Sequence, residues 1–253
     1  MNLSLTSKVV LVTGSTRGIG FYIATKFIEE GAVVIFNGRS ESSRVELCSK
    51  FPGKEIFYLK GDVTKAETCK KMALEVKELF GKLDVLVCNV GSGKSVPPGE
   101  EDDVELYKML NINLFSSFNI VDATKNLLSI DSGSVVCISS ICGREVIDGA
   151  PIAYSVAKAA LDAYVRGSSR PLAGKGIRIN SISLGNILFD GSVWEKKLIQ
   201  DESTVRKMIN EKVALGRFGQ LDDVANLTLF LSSNLSKFVT GSIYVLDGGQ
   251  VHQ

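Results

Sequence analysis

Two side chains spaced four residues apart could together move a proton. Tyr154 and Lys158 belong to the run Tyr-Ser-Val-Ala-Lys, at the start of a stretch whose apolar spacing indicates a helix. Residues at positions i and i+4 share one face of a helix, so the phenol and the ammonium are expected to lie together. A free tyrosine, with a pKa of about 10, is a poor base at neutral pH, but a neighbouring ammonium favours the phenolate. The pair therefore predicts a general acid–base whose pKa is moved toward the working pH.

A glycine-rich turn near the N-terminus suggests what this proton transfer would accompany. Thr13–Gly20 reads Thr-Gly-Ser-Thr-Arg-Gly-Ile-Gly and lies between a strand-like apolar run and a helical pattern, the setting of a dinucleotide fingerprint. Gly14 would allow the sharp turn, while Gly18 and Gly20 would let the backbone approach a pyrophosphate. The N–H groups of the helix that begins there attract phosphate. The turn and the Tyr154–Lys158 pair together predict a nicotinamide-dependent oxidoreductase.

The end of the second predicted strand bears on which nicotinamide cofactor binds. A carboxylate there would accept a hydrogen bond from the ribose 2′-hydroxyl of NAD and repel a 2′-phosphate. This chain has Asn37-Gly38-Arg39-Ser40 at that point, and Arg17 lies within the glycine turn. Guanidinium groups suit bidentate contacts with phosphate, so we expect NADP(H) in preference to NAD(H).

Apolar runs alternate with longer amphipathic segments along nearly the whole chain. Continuous β-branched runs separated by helices indicate a parallel sheet that is covered on both faces. The predicted strands are Val9–Thr13, Ala32–Asn37, Glu55–Lys60, Val85–Cys88, Gly133–Ser139, Ile177–Ile182 and Ser242–Leu246. The predicted helices are Gly18–Glu30, Lys65–Phe80, Val104–Leu128, Ala153–Ala173 and Leu221–Ser232. We expect a single α/β domain over residues 1–253, with a Rossmann-type, doubly wound parallel sheet of seven strands and helices on both faces.

Two irregular stretches are expected to meet the substrate. Gly91–Glu101 follows the fourth predicted strand, and Leu184–Val213 follows the sixth and contains the sole tryptophan. In open α/β sheets, ligands bind beyond the carboxyl ends of the strands. The substrate loop is therefore placed at about residues 184–213.

Composition argues against several other classes of function. The net charge of +1 gives no electrostatic reason to expect nucleic acid or a membrane surface as a partner. No apolar stretch approaches the roughly 20 residues that span a bilayer, and no secretory segment precedes the first strand, so a cytoplasmic location is expected. Five cysteines include no Cys-x-x-Cys pair, and Cys88 and Cys137 lie in strand patterns that predict buried, inert thiols. Because His252 is the only histidine and is penultimate, neither a metal site nor a Ser-His-Asp triad is expected.

Taken together, these motifs resemble the short-chain dehydrogenase/reductase family in its single-domain branch, from Ser7 to Gly249. Besides the glycine turn and the Tyr154–Lys158 pair, the resemblance rests on Gly61-Asp62-Val63-Thr64, Cys88-Asn89-Val90-Gly91, Asn111-Ile112-Asn113-Leu114, Ile138-Ser139-Ser140, Phe238-Val239-Thr240-Gly241 and Asp247-Gly248-Gly249. It implies hydride transfer between NADP(H) and a carbonyl or secondary alcohol.

The resemblance also implies roles for individual residues. Tyr154 would be the general acid–base, Ser140 would hydrogen-bond the substrate carbonyl, and Lys158 would also bond the nicotinamide ribose. Asn113 would hold a water that links the lysine to solvent. The implied cofactor-binding residues are Gly14, Ser15, Thr16, Arg17, Gly18, Ile19, Gly20, Arg39, Asp62, Val63, Asn89, Tyr154, Lys158 and Ile187. Ser139 is a rival to Ser140, but only one of two successive strand residues can face the cleft, and the family pattern favours Ser140.

The chain departs from the family pattern at three points. Ser140 precedes Tyr154 by fourteen residues, where the family has thirteen, so one residue is inserted between them. Leu184 and Phe189 replace the usual proline and threonine after the sixth strand. Support for the orientation of the nicotinamide is therefore weaker than support for binding at the adenine end.

The substrate is left open among several classes. The segment Gly185–Lys197 resembles a subgroup linked to bacterial surface-glycan and flagellin-modification sugar pathways, which implies a keto sugar or sugar phosphate. Trp194 would then stack on the sugar, although it reads equally well as a packing residue. The charged residues that would hold a phosphate, and that read equally well as surface residues, are Lys94, Arg144, Lys196 and Lys197.

Other functions remain as alternatives. A reductase of 3-oxoacyl thioesters on acyl-carrier protein shares the same scaffold. A non-catalytic NADP-binding sensor or structural relative is a different class, but such relatives commonly lack the tyrosine or the lysine. A sugar-nucleotide epimerase or dehydratase usually needs a longer chain. The C-terminal strand and the helices Ala153–Ala173 and Leu221–Ser232 resemble the family's assembly surfaces, which implies a homotetramer, or else a dimer.

Overall fold

Seven parallel strands form one sheet at the centre of the molecule. The computed structural model describes residues 2–53 and 55–251, so the prediction that rests on His252 lies outside it. The strands are β1 (Val9–Val12), β2 (Val33–Gly38), β3 (Phe57–Lys60), β4 (Val85–Cys88), β5 (Ser134–Ser140), β6 (Arg178–Leu184) and β7 (Ile243–Leu246). Their order is β3-β2-β1-β4-β5-β6-β7, which confirms the predicted doubly wound sheet. The order reverses between β1 and β4, where such sheets open a crevice for ligands.

Nine α-helices are found in the part of the chain that the structure describes. They are α1 (Gly18–Glu29), α2 (Glu41–Lys50), α3 (Ala66–Phe80), α4 (Asp103–Leu110), α5 (Ser116–Thr124), α6 (Ile152–Ala173), α7 (Val193–Gln200), α8 (Glu202–Lys212) and α9 (Leu221–Ser232). Short 3-10 turns cover Ile141–Gly143 and Asn234–Ser236. None of the described helices is both long and apolar enough to cross a bilayer.

The two faces of the sheet are buried under different helices. Val9 and Leu11 pack into a core layer with apolar residues of α3, α5 and α6. Val10 and Val12, which point the other way, pack with residues of α1 and α9. This burial of both faces explains why the strands read as uninterrupted β-branched runs rather than alternating patterns. The cysteines are all free thiols, and Cys88 and Cys137 are buried as predicted.

The single helix predicted over Val104–Leu128 is wrong, because a π-helical turn divides it. Asn111–Phe115 forms that turn, and the Ser116 N–H donates to the Asn111 carbonyl five residues back. The Asn113 side chain donates from Nδ2 to the Met109 carbonyl over 3.1 Å, four residues earlier. A side chain that takes this carbonyl competes with the α-helical ladder, which accounts for the break.

Three helices were not predicted from the sequence. In α2, Leu47 is the one buried residue, so the segment carries almost no amphipathic signal. Helices α7 and α8 lie inside the region predicted as a loop at 184–213 and are short and strongly charged. Each of these three helices begins at a side chain that caps it, namely Ser40, Ser192 and Asp201.

Candidate active site

The sheet edge at the end of β5 faces the start of α6, and this junction brings the predicted catalytic side chains together. Tyr154 and Lys158 lie one turn apart on α6, with the Lys158 Nζ 5.9 Å from the centre of the Tyr154 ring. The Lys158 Nζ donates to the carbonyl of Ile138 on β5 over 2.9 Å. Ser140, the last residue of β5, accepts a 3.3 Å hydrogen bond at Oγ from the Cys142 N–H. Three of the four predicted catalytic residues thus meet at one edge of the sheet.

The alternation of the strand separates the two candidate serines. Ser140 lies near enough to Tyr154 to act on its pKa, which it lowers. Ser139, on the opposite face of β5, acts instead on the pKa of Asp162, two turns further along α6. This placement agrees with the choice of Ser140.

Burial shifts the pKa values of the tyrosine and the lysine in opposite directions. Burial raises the pKa of Tyr154 to about 12, although its interaction with Ser140 acts against this. Burial also lowers the pKa of Lys158 to about 8, because an ammonium loses its hydration there. The expected fall in the pKa of Tyr154 is therefore not found. A neutral phenol at physiological pH is suited to giving up a proton.

Asn113 and two unpredicted glycines complete this edge. Asn113 is fully buried; its Oδ1 accepts from the Ser92 N–H over 2.9 Å, and its Nδ2 donates to the Ser92 carbonyl over 3.0 Å. A Cβ placed on Gly91 would lie 2.9 Å from the Asn113 Oδ1 and 3.1 Å from the Lys158 Nζ. A Cβ on Gly93 would lie 3.8 Å from the Tyr154 ring. The loop after β4 therefore passes directly against Asn113, Tyr154 and Lys158, and a side chain at position 91 would not fit there.

The glycine turn has the geometry that a pyrophosphate requires. Gly14 and Gly18 have φ values of +61° and +57°, which favour glycine. A Cβ on Gly20 would collide with the Asn89 side chain and with the Gly14 carbonyl. Arg17 precedes α1 in an extended conformation and makes no side-chain capping bond, so the first N–H groups of the helix are left for an anion.

Other predicted cofactor residues hold this turn in place. Asn89 donates from Nδ2 to the carbonyls of Thr13 and Gly14 over 3.0 and 3.2 Å, which ties the turn to the end of β4. Ser15 is buried, and its hydroxyl donates to the Val12 carbonyl over 2.7 Å. Asn37, which was not predicted as a site residue, accepts at Oδ1 from the Gly14 N–H over 3.1 Å. Hydrogen bonds between these side chains and the backbone thus hold the glycine turn in its conformation.

Arg17 and Arg39 lie on adjoining stretches of backbone. A Cβ on Gly38 would lie 2.5 Å from Cγ2 of Thr16, so the glycine turn rests against the end of β2. Both arginines are exposed, and neither forms a salt bridge with any described residue. Although burial acts to raise it, the pKa of Asp62 is lowered by hydrogen bonds from Thr64 and by the nearby Arg39.

Ile19, Val63 and Ile187 account for the remaining predicted cofactor residues. Ile19 packs beside the core layer under α1, and Val63 is 2 % exposed at the start of the loop after β3. Ile187 is bridged to Gly219, where the Leu188 N–H donates to the Gly219 carbonyl over 2.9 Å. The N–H and the carbonyl of Ile187 itself have no partner among residues 2–53 and 55–251. They are left for a group outside the chain.

Phe189 packs against the glycine turn. A Cβ on Gly18 would lie 3.0 Å from Cε2 of the Phe189 ring. The segment after β6 therefore reaches back to the start of α1. A cavity of about 840 Å³ lies between α1, this segment and α8, and its lining includes Arg17, Phe189 and Ile209 but not Tyr154.

Trp194 is engaged within its own chain. Its ring centre lies 5.6 Å from that of Phe218, and the Lys197 Nζ lies 4.7 Å from it. Lys94, Arg144 and Lys196 are exposed.

Known proteins resemble the chain over almost its full length. Residues 14–251 match the family model described as enoyl-(acyl carrier protein) reductase. The 3-oxoacyl-[acyl-carrier-protein] reductase of Staphylococcus aureus is 32% identical over 247 residues, which cover 96% of this chain and 98% of that protein.

Solved structures show the same fold. L-sorbose reductase from Gluconobacter frateurii, complexed with NADPH and L-sorbose, superposes with a TM-score of 0.90 at 26% identity, covering 100% of both chains. A 7α-hydroxysteroid dehydrogenase complexed with NADH has a TM-score of 0.87 at 28% identity, covering 100% of this chain and 97% of that one. These neighbours hold NADPH in one case and NADH in the other. The chain belongs to the short-chain dehydrogenase/reductase family and is an oxidoreductase that acts on CH–OH or carbonyl groups.

Proposed function

We propose that this protein transfers a hydride between NADP(H) and a carbonyl or secondary alcohol, with Tyr154 as the general acid–base. The observation that carries the proposal is the meeting of Ser140, Tyr154 and Lys158 where β5 faces α6. Only β4 separates β5 from β1, the strand that the uncapped glycine turn follows. A half-buried phenol that is protonated at neutral pH favours reduction of the carbonyl, because the proton that reduction consumes is already in place.

Each residue has a defined part in this reaction. The cofactor, when bound, supplies the hydride. The Tyr154 hydroxyl gives its proton to the substrate oxygen, and the Ser140 hydroxyl donates a hydrogen bond to the same oxygen as negative charge develops there. Lys158 would bond the nicotinamide ribose, and its positive charge would stabilise the phenolate that forms when Tyr154 gives up its proton. Asn113 holds the loop after β4 against this edge and would position a water that connects Lys158 to solvent.

The residues present fit a nicotinamide dinucleotide. The uncapped start of α1 and the close backbone at Gly18 and Gly20 would hold the pyrophosphate. The unpaired N–H and carbonyl of Ile187 match the carboxamide, which has both an acceptor and donors. Asp62 and Val63 would border the adenine. Phe189, which replaces the family threonine, offers no hydroxyl to the cofactor.

A preference for NADP(H) predicts a specific effect of Arg39. Arg39→Gln is expected to weaken NADPH binding about tenfold or more and to leave NADH binding unchanged, because a charge-assisted contact to the 2′-phosphate is lost. The dissociation constants can be measured by quenching of protein fluorescence. Arg44→Gln, which removes an equal charge from the exposed face of α2, is the control. Equal NADPH affinities in the two variants would place the 2′-phosphate elsewhere.

Two substrate classes have support. A 3-oxoacyl thioester is favoured because the staphylococcal relative is a reductase of that substrate on acyl-carrier protein and matches nearly end to end. A keto sugar is favoured by the likeness to L-sorbose reductase, although the Trp194 ring is packed against Phe218. We therefore propose the 3-oxoacyl thioester first and the keto sugar or sugar phosphate second.

Consumption of NADPH, followed by absorbance, distinguishes these classes. The panel contains 3-oxoacyl thioesters of acyl-carrier protein and of a small thiol, free keto sugars, keto-sugar phosphates and nucleotide-linked keto sugars. Turnover of one class that is lost in Tyr154→Phe would identify the substrate class. Binding of NADPH without turnover of any compound would instead favour the non-catalytic sensor.

Assembly into a homotetramer in the cytoplasm is part of the same proposal. Large apolar side chains are exposed on α4, α5 and α6, with Val104, Tyr107 and Phe118 exposed by 67 %, 69 % and 42 %. Phe238, just before β7, is fully exposed. Apolar groups on two separate surfaces suit two kinds of subunit contact. Sedimentation velocity distinguishes a tetramer from a dimer or monomer.

A further inference from the structure

A third titratable side chain continues the face of α6 that carries Tyr154 and Lys158. Asp162 lies four residues after Lys158 and is 2 % exposed. Helical side chains lean toward the N-terminus of their helix, so the Asp162 carboxyl leans toward the turn of Lys158. The three residues form one row, from the cleft to the interior beneath the sheet.

The Asp162 carboxylate lies among neutral polar groups. Its Oδ1 accepts from the Ser181 hydroxyl on β6 over 3.0 Å. Its Oδ2 has no partner in the described part of the chain, and neither do the hydroxyls of Ser139 and Ser183. Ser139 and Ser183 are direct partners across β5 and β6. A buried carboxyl whose polar neighbours are neutral hydroxyls is unfavourable unless a positive charge compensates it.

Few charged groups lie near enough to this row to compensate the Asp162 carboxylate. From α6 itself, Lys158 and the exposed Arg166 act on Asp162, and Tyr154 faces Lys158. The groups facing Lys158 from β5 and the 3-10 turn are the thiols of Cys137 and Cys142. Burial raises the pKa of Cys142, so it stays neutral beside the lysine at physiological pH. Among the described groups that act on Lys158, Asp162 is thus the one carboxyl. Burial raises the pKa of Asp162, and the positive charges of Lys158 and Arg166 oppose that rise.

We propose that Asp162 is a positioning residue that keeps Lys158 in its charged form. The inference rests on the proposed function for its catalytic consequence, but the coupling itself belongs to the protein without any ligand. Burial favours a neutral lysine, and the attraction of a carboxylate one turn away opposes this. The carboxylate is in turn stabilised by the ammonium, so the two groups titrate as a pair.

Removal of this charge should shift the titration of Lys158. The pKa of Lys158 is about 8 with Asp162 present, and the loss of an attracting charge can only lower it further. In Asp162→Asn, which keeps an oxygen that can accept from Ser181, we expect Lys158 to lose its proton about one pH unit lower. The measurement is the lysine 13Cε resonance in the ligand-free protein, assigned with Lys158→Met. The alkaline limb of kcat/KM should move by the same amount.

Two further measurements keep the test decisive. Arg166→Gln, which removes the other charge near Asp162, should leave the Lys158 titration within a few tenths of a pH unit of wild type. If Asp162→Asn does not fold, the Asp162 carboxyl 13C resonance of the wild type should still show a step at the pH where Lys158 titrates. An unshifted lysine in Asp162→Asn, or a carboxyl resonance without that step, would overturn the proposal. A shifted lysine in an enzyme that reduces nothing on the substrate panel would leave the coupling intact and reject the proposed function instead.

Discussion

Replacement of Tyr154 by phenylalanine is expected to lower kcat/KM by about 10²–10⁴-fold, the contribution usual for a positioned general acid. The substitution removes one oxygen atom from a side chain that contacts Ser140 and leaves the ring packed beside Gly93. The fold and the glycine turn should be unaffected. Steady-state reduction of the substrate found on the panel gives the rate, and NADPH fluorescence gives the binding constant, which should change less than threefold.

Tyr164→Phe is the matched control for this experiment. Tyr164 lies on the same helix and packs edge-on against Phe118, with 5.5 Å between ring centres, away from the cleft. The Tyr164→Phe enzyme should retain a kcat/KM close to that of the wild type. A Tyr154→Phe enzyme that keeps more than a tenth of the wild-type rate would mean that the proton comes from another group.

Gly143→Ala is expected to damage both stability and turnover. A Cβ at this position would lie 2.6 Å from the backbone N of Ala159 and from the carbonyl carbon of Lys158. These are helix backbone atoms, so they cannot turn aside as a flexible side chain would. The 3-10 turn that starts directly after Ser140 would have to move away from α6, separating the serine from Tyr154. We expect a loss of about 1–3 kcal/mol in the free energy of unfolding and at least a tenfold fall in kcat.

Thermal unfolding and steady-state kinetics measure these two effects. Each kcal/mol should lower Tm by about 2–4 °C for a chain of this size. Gly174→Ala is the control, since Gly174 has an ordinary helical φ of −60° and its Cβ would be no closer than 3.5 Å to the Pro171 carbonyl. If Gly143→Ala has the same Tm as Gly174→Ala and the kcat of the wild type, the 3-10 turn can shift without disturbing the candidate site.

The strands and the longer helices were predictable because a sheet that is buried on both faces requires continuous apolar runs, which are visible in the sequence. All seven strands were located, since β-branched runs such as Val9–Val12 must be apolar at every position. Helix α9 was predicted to the residue over Leu221–Ser232, since it buries an apolar stripe against the sheet. Helix α2 buries Leu47 and little else. Its charged sequence therefore carries little amphipathic signal, and no helix was predicted there.

The parts of the candidate site that depend on residue type and spacing were predictable. The parts that depend on contacts between segments distant in sequence were not. Spacing alone was enough to place Tyr154 and Lys158 on one face of a helix. The closeness of Gly91 and Gly143 to Lys158 involves segments distant in sequence, and nothing local marks it. The pKa of Tyr154 was predicted to fall because the neighbouring charge is visible in the sequence. Its rise follows from burial, which the sequence does not display.

The π-helical turn at Asn111–Phe115 fixes the length of the chain between α4 and α5. Helix α4 packs on α6 and α5 packs on α3, so each half is anchored to a different neighbour. A π turn accommodates one residue more than the α-helix it interrupts. Deletion of a single residue there would restore a continuous α-helix and keep the faces of α4 and α5 in nearly the same relation, because the bulge already absorbs the rotation of about 100° that one extra residue brings. The deletion would instead remove the bulge itself, and with it the position from which Asn113 pairs with Ser92. The extra residue therefore serves the candidate site rather than the packing of the two helices.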